Sequence, residues 1–138
     1  MSHYGIYGAW LENGRLVTVR KARGPYLGML DLPGGTPEDG ESREQTLERE
    51  LLEECGVTVI TVRSWHEFDF LIDFTSAGEP LGEHHRGHIA LLDVATRIRP
   101  IHDVEDVAAV ELIDPNTHAV DELTPPLHLA RTLLAANR

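Results

Sequence analysis

The strongest constraint on the fold lies in residues 35–57, which carry both a start and a stop signal for one helix. Ser42 is followed three residues later by Gln45, a capping-box pattern in which each side chain satisfies a backbone N–H of the other. Gly56 is the residue type that most often ends a helix. The spacing therefore predicts a helix over residues 43–55.

Three glutamates fall on one face of this predicted helix. Glu50, Glu53 and Glu54 stand at i, i+3 and i+4, within a single turn. Like charges at this spacing destabilise a helix by about 0.2–0.5 kcal/mol per pair, so the cluster makes most sense around a cation. Oxygen ligands favour a hard ion, best Mg²⁺, with Mn²⁺ as a substitute. The alternative is a solvated acidic face, which charge runs usually are.

The residues around these glutamates favour the site over the solvated face, because they form a longer pattern. The pattern is G-x5-E-x7-R-E-U-x-E-E-x-G-U, where U is aliphatic, and it is filled by Gly35, Glu41, Arg49, Glu50, Leu51, Glu53, Glu54, Gly56 and Val57. This stretch resembles the Nudix box. The resemblance implies an α/β/α sandwich with a mixed β-sheet between helices, a divalent-metal requirement and hydrolysis of a diphosphate linked to a further group.

The resemblance also implies roles for single residues. Glu53 and Glu54 would be the principal metal ligands, with Glu50 beside them and the Gly34 carbonyl joining the metal shell. These three glutamates would also be the catalytic residues.

Other positions of the box would be structural. Arg49 would pair with Glu41 and orient the loop, while Gly35 and Gly56 would serve the backbone. The general base would be a box glutamate or an acid on a distant loop, where Glu105 and Asp106 stand. The alternative for these two acids is a solvated loop before a strand.

The rest of the chain predicts an α+β domain spanning residues 1–138. Asn13-Gly14 favours a tight hairpin turn. Thr124, Pro125 and Pro126 give a cap and a proline start for a closing helix. Runs of β-branched, aromatic and aliphatic residues predict strands over residues 4–11, 16–21, 57–63, 65–74, 88–94 and 107–113, a loop over 75–83 and the closing helix over 127–136.

Candidate contacts for the substrate are few. Arg20, Arg23 and Arg86 could each grip phosphate oxygens with two nitrogens, and Phe74 could stack on a base. Each of these residues could equally be an ordinary surface or packing residue.

Composition limits the partners. A net charge of -11 argues against a nucleic-acid surface, which needs basic stripes. A single cysteine excludes an intrachain disulfide framework, and no stretch of eighteen apolar residues predicts a membrane span. We therefore expect a cytoplasmic protein with no membrane partner. The family resemblance makes a homodimer a further possibility.

The substrate itself is open. Neither the proline typical of ADP-ribose enzymes nor the tyrosine of dinucleoside polyphosphate enzymes follows the box at the usual distance. We expect a nucleoside triphosphate, normal or oxidised, or a small nucleoside diphosphate derivative. The alternative is a non-catalytic nucleotide sensor with the same fold. Such sensors usually lose box glutamates, and this chain has kept them, which favours the hydrolase.

Overall fold

A computed structural model describes residues 2–99, 107–116 and 119–136. These residues form eight strands, two α-helices and a short 3₁₀ turn. In chain order the elements are β1 (Ser2–Ala9), β2 (Leu11–Glu12), β3 (Arg15–Lys21), β4 (Leu30–Asp31), β5 (Gly34–Gly35), α1 (Arg43–Cys55), β6 (Val59–Phe74), β7 (Pro80–Val94), β8 (Val107–Ile113), the 3₁₀ turn Val120–Glu122 and α2 (Pro125–Ala136). Neither described helix is both long and apolar enough to cross a bilayer.

The strands form two sheets. The first has the order β5-β1-β7-β6, in which β1 and β7 run parallel and the other pairs are antiparallel. In the second, β3 pairs with β2, β4 and β8, always antiparallel. The mixed sheet that the sequence predicts is present, and a second sheet stands beside it.

The two helices cover opposite faces of the first sheet. Neighbouring residues of a strand point to opposite faces, and Ile6 and Tyr7 of β1 contact different helices. Ile6 packs in one core cluster with Leu47 and Leu51 of α1. Tyr7 packs in the other cluster with Leu127 of α2. This arrangement confirms the predicted α/β/α architecture and its α+β class.

Elements with local signals match their predicted bounds closely. Helix α1 has the predicted ends, and β8 spans the predicted residues. Asn13 and Gly14 have φ of 51° and 80°, as a tight hairpin turn requires. Helix α2 begins at Pro125, and the Thr124 hydroxyl oxygen accepts a hydrogen bond from the Leu127 N–H.

The long hairpin differs from the prediction. Residues 57–63 and 65–74 do not form two strands; β6 runs without a break from 59 to 74 and absorbs irregularities of register along its pairing with β7. Strand β7 begins at Pro80 rather than at residue 88, so the predicted loop over 75–83 shrinks to residues 75–79. Cross-strand pairing overrides the local turn signals here.

Candidate active site

Helix α1 is capped at both ends. The Gln45 N–H donates to the Ser42 hydroxyl at 3.1 Å, and the Ser42 N–H donates to the Gln45 side chain at 2.9 Å. Gly56 takes the left-handed conformation with φ of 66°, and its N–H donates to the Leu52 carbonyl. These caps set where the helix begins and ends, and its buried Leu47 and Leu51 turn one face towards the sheet.

The three box glutamates differ in burial. Glu50 is 3% exposed and Glu54 1% exposed, whereas the Glu53 side chain is 39% exposed. Glu54 accepts a hydrogen bond at 2.9 Å from the Gly34 N–H, which ties the helix to β5. The helix therefore presents two buried carboxylates to the sheet edge and one to solvent.

The glycine pair of β5 lets the carboxylates come close to the backbone. A side chain on Gly34, whose φ is 148°, would collide with the β1 backbone at Ile6 and Tyr7. A Cβ on Gly35 would stand 2.7 Å from the Glu50 carboxyl carbon. Glycine is required at Gly34, where a side chain would meet backbone, whereas at Gly35 a side chain would displace the Glu50 carboxylate.

Arg49 organises the acidic residues around it. Its guanidinium donates two hydrogen bonds to Glu41, at 2.7 and 2.9 Å, and one to Glu50 at 2.8 Å. The Glu53 carboxylate lies 3.5 Å from it and the Glu38 carboxylate 3.6 Å. The hydrogen bonds from Arg49 are the main reason why the pKa of Glu41 falls to about 2. The bonds to Glu41 and then to Glu50 raise the pKa of Arg49 itself.

This pairing divides the predicted ligand trio. Arg49 bonds Glu50 at 2.8 Å and more weakly the half-exposed Glu53 at 3.5 Å, whereas Glu54 accepts from the Gly34 N–H. Among residues 2–99, 107–116 and 119–136, no three acidic, histidine or cysteine side chains converge into a ready metal cage. One helical turn brings the three glutamates to one region, but their carboxylates do not meet at one point.

An open cleft of about 540 Å³ runs along the glycine pair. Its lining includes Glu50 and Glu38, both in contact with Arg49. It also includes Lys21 and Arg23, at the end of β3 and just after it. One cleft thus brings carboxylates together with cations able to bind anionic oxygens.

Comparison with known proteins identifies the fold family. The family model described as NUDIX domain matches residues 2–131. The chain belongs to the Nudix family. Nudix hydrolases cleave pyrophosphate bonds in small nucleotide-type molecules and generally use divalent metals.

Individual Nudix relatives are more distant. The chain is 33% identical to an 8-oxo-dGTP diphosphatase of Haemophilus influenzae over 60 residues, which span 43% of this chain and 44% of that relative. A MutT Nudix hydrolase of Burkholderia pseudomallei has a similar structure, with a TM-score of 0.75, 22% identity and coverage of 96% of this chain and 97% of that one.

A second similar structure comes from a larger protein. It is a bifunctional NMN adenylyltransferase/ADP ribose pyrophosphatase of Francisella tularensis, solved with AMP and a manganese ion. Its TM-score is 0.68 at 16% identity, and the match covers 99% of this chain and 42% of that one. At this identity the likeness shows the fold.

The structure separates the predicted substrate contacts. Arg23 lines the Nudix cleft. Arg20 does not appear on the described walls of the cleft and instead forms a two-pronged ion pair with Glu111, at 2.7 and 2.8 Å. Arg86 lies in a separate groove beside Tyr4. Of these three arginines, Arg23 is therefore the one that lines the cleft.

The remaining predicted residues lie elsewhere. Phe74 is 63% exposed at the end of β6 and lines a neighbouring groove with Tyr26. Glu105 and Asp106, the candidate loop acids, lie outside the described residues.

Lys21 stands with Arg20 and Arg23 among the few cations that precede the box loop, and it lines the cleft. His3 and Tyr7 are cleft residues that the sequence did not indicate. His3 and Tyr7 reach the cleft because β1 lies next to β5. That neighbour relation depends on tertiary pairing, for which the sequence offers no local signal.

Proposed function

We propose that the chain is a metal-dependent pyrophosphohydrolase that cleaves a nucleoside diphosphate linked to a further group. The preferred substrate is a nucleoside triphosphate, normal or oxidised, or a small nucleoside diphosphate derivative. The observation that carries this proposal is the meeting of Glu50, Lys21 and Arg23 in one cleft. The name of the Haemophilus influenzae relative, an 8-oxo-dGTP diphosphatase, supports a nucleoside triphosphate.

The residues present fit a hard divalent cation. Glu50 and Glu54 are buried carboxylates beside a glycine pair that has no side chain to obstruct them, and Glu53 is one turn away. All three offer oxygen ligands, as Mg²⁺ prefers, with Mn²⁺ as a substitute. The Gly34 carbonyl is the further ligand we propose. Such an ion supplies a bound water of lowered pKa and charge neutralisation on the phosphate oxygens.

The side chains of the protein itself bind the phosphates, position the carboxylates and accept the proton. Lys21 and Arg23 bind the phosphate chain and hold it across the cleft. Arg49 positions Glu50 and, through Glu41, the loop before α1. We assign the proton released by the attacking water to the carboxylate of Glu53, which solvent can reach.

The test is a Mg²⁺-dependent assay that separates the products by chromatography and measures nucleoside monophosphates and other cleavage products, over nucleoside triphosphates, oxidised nucleotides, ADP-ribose, dinucleoside polyphosphates and nucleotide sugars. We expect Glu53→Gln and Glu54→Gln each to lower kcat by about 10³-fold or more, since metal ligands act in the transition state. Glu48→Gln is the matched control, because Glu48 is an exposed glutamate of the same helix.

Two outcomes would contradict the proposal. Near-normal turnover in both Glu53→Gln and Glu54→Gln would remove the ligand assignment. Calorimetry that detects nucleotide binding by the unaltered chain, without cleavage of any compound of the panel into its phosphorylated products, would favour the non-catalytic sensor.

A further inference from the structure

A smaller cavity of about 160 Å³ opens from the same cleft. The two share His3, Tyr7, Lys21 and Arg23 along their boundary. Beyond that boundary the cavity walls combine the aromatic and aliphatic side chains of Tyr26, Ile72 and Leu81 with the polar side chains of Asp31, Glu83, His84 and His85. A molecule whose phosphates lie in the cleft can therefore extend its other end into this cavity.

A buried histidine stands at the wall of the cavity. Parallel pairing of β1 with β7 places His85 opposite His3, and His85 is only 4% exposed. Its Nε2 lies 2.9 Å from the Tyr7 hydroxyl and its Nδ1 2.7 Å from the Tyr26 hydroxyl. Strand β1, strand β7 and the loop after β3 thus meet in a continuous hydrogen-bonded chain, Tyr7–His85–Tyr26.

The chemistry of imidazole fixes the direction of this chain. A neutral imidazole has one N–H donor and one acceptor nitrogen. One tyrosine hydroxyl therefore donates to His85, while the other accepts from His85 and must direct its own proton elsewhere. In either tautomer, His85 orients one phenol as a donor.

The protonation states agree with this geometry. Burial, with smaller effects from His3 and Lys21, lowers the pKa of His85 to about 4, so the ring is neutral at pH 7. Burial, followed by the nearby Asp31 carboxylate, raises the pKa of Tyr26, so the phenol keeps its proton.

The same cavity also has a hydrogen-bond acceptor, the carboxylate of Asp31. Asp31 is buried and lines the cavity. One of its carboxylate oxygens is held by the Thr124 hydroxyl at 2.6 Å and the Leu32 N–H at 2.8 Å. A carboxylate in this fixed position complements N–H groups of a ligand.

We propose that this cavity binds the nucleobase of the substrate and that the Tyr7–His85–Tyr26 chain makes the binding selective among bases. This inference rests on the proposed function, since it takes the cleft to hold the phosphates. Flat aromatic and aliphatic walls suit a planar heterocycle, and base edges present N–H donors beside N and O acceptors. His85 is a positioning residue, because it acts through the hydroxyls that it orients.

Calorimetric binding of product-like monophosphates tests the inference without hydrolysis. The probes are GMP, AMP, UMP and CMP, with ribose 5-phosphate as the base-free reference. We expect Kd values of the unaltered chain to differ by about tenfold or more between the preferred and the least preferred base, since a buried polar site rejects a mismatched partner.

Three variants test the hydrogen-bonded chain. His85→Phe keeps a ring but removes both nitrogens, and Tyr26→Phe and Tyr7→Phe each remove one hydroxyl. We expect the ratio of Kd values between bases to fall below about threefold in His85→Phe and in at least one tyrosine variant, because the donor is lost or no longer oriented. Tyr26→Phe, on a surface loop, keeps the test available should His85→Phe fail to fold.

The matched control is Tyr4→Phe. The Tyr4 hydroxyl also bonds a histidine, His88 Nδ1 at 2.9 Å, but outside this cavity, in a separate groove. The base selectivity of Tyr4→Phe should equal that of the unaltered chain. Equal affinity of the unaltered chain for all four bases would overturn the inference, as would selectivity that survives in all three variants.

This experiment separates the inference from the proposed function. Selective binding of one monophosphate, in a chain that hydrolyses nothing, would remove the proposed activity and keep the base-selective cavity. Hydrolysis of nucleoside triphosphates, with equal binding of all four monophosphates, would keep the proposed activity and remove the base-selective cavity.

Discussion

At the scale of single residues, the Arg49–Glu50 contact has the clearest energetic consequence. Glu50 is almost fully buried, and Arg49, 21% exposed, holds it at 2.8 Å. We expect Arg49→Met to lower the free energy of unfolding at pH 7 by about 3 kcal/mol, because it leaves the buried Glu50 carboxylate without this partner and also removes both hydrogen bonds to Glu41. Urea denaturation in the presence of a chelator measures the loss.

Arg43→Met is the control, since it alters the same residue type in the same helix. Arg43 is largely exposed and lies 4.3 Å from the Trp65 ring, a contact that at exposed sites contributes about 0.5–1 kcal/mol. A loss in Arg49→Met no larger than that in Arg43→Met would show that the buried contact does not stabilise the fold.

His85 gives the fold a pH dependence of known sign. Its pKa is about 6.5 when unfolded and about 4 when folded, so between these values the unfolded chain binds more protons. The stabilisation from keeping the ring neutral is complete above pH 6.5, declines as the pH falls and is lost below pH 4. At 1.36 kcal/mol per pKa unit, the total is about 3 kcal/mol.

Urea denaturation from pH 7.5 to 4 measures this effect as a difference between the unaltered chain and His85→Gln. The difference isolates His85, because the other titrating groups are common to both. The variant should lose less stability than the unaltered chain over this range. Parallel profiles would contradict the low pKa of His85.

At the scale of elements, the box helix depends on its caps. We expect Ser42→Ala to lower the free energy of unfolding by about 1 kcal/mol, since it removes the acceptor for one orphan N–H of the first turn. Ser42→Asp keeps an acceptor at that position and should retain most of the stability. Thermal denaturation of both variants checks this, and equal losses would show that the hydroxyl is not acting as a cap.

These local signals explain why some elements could be predicted and others could not. The capping pair at Ser42 and Gln45 and the stop at Gly56 lie within or beside helix α1, so its bounds follow from the sequence. The start of β7 depends instead on its partners β1 and β6. For the same reason the sequence located the box glutamates, but the place of His85 between two tyrosines required the assembled sheet.

At the scale of the whole molecule, the negative net charge opposes binding of an anionic substrate in the cleft. The chain carries -11 charges, and its proposed substrate is a polyanion. The repulsion between the acidic chain and the substrate acts over about 30 Å at 10 mM salt and about 8 Å at 150 mM. The attraction of Lys21 and Arg23 acts at contact distance and is screened less, so salt should weaken the repulsion more than the binding.

We therefore expect the KM for a nucleoside triphosphate to fall, by about twofold or more, when KCl rises from about 10 to 150 mM at constant free Mg²⁺. Steady-state kinetics measures this, with kcat as the internal control, because chemistry inside the cleft should respond less than encounter. Lys21→Met should raise KM at both salt concentrations and keep the same direction of change. A KM that rises with salt would mean that the local cations, rather than the acidic surface, dominate the approach of the substrate.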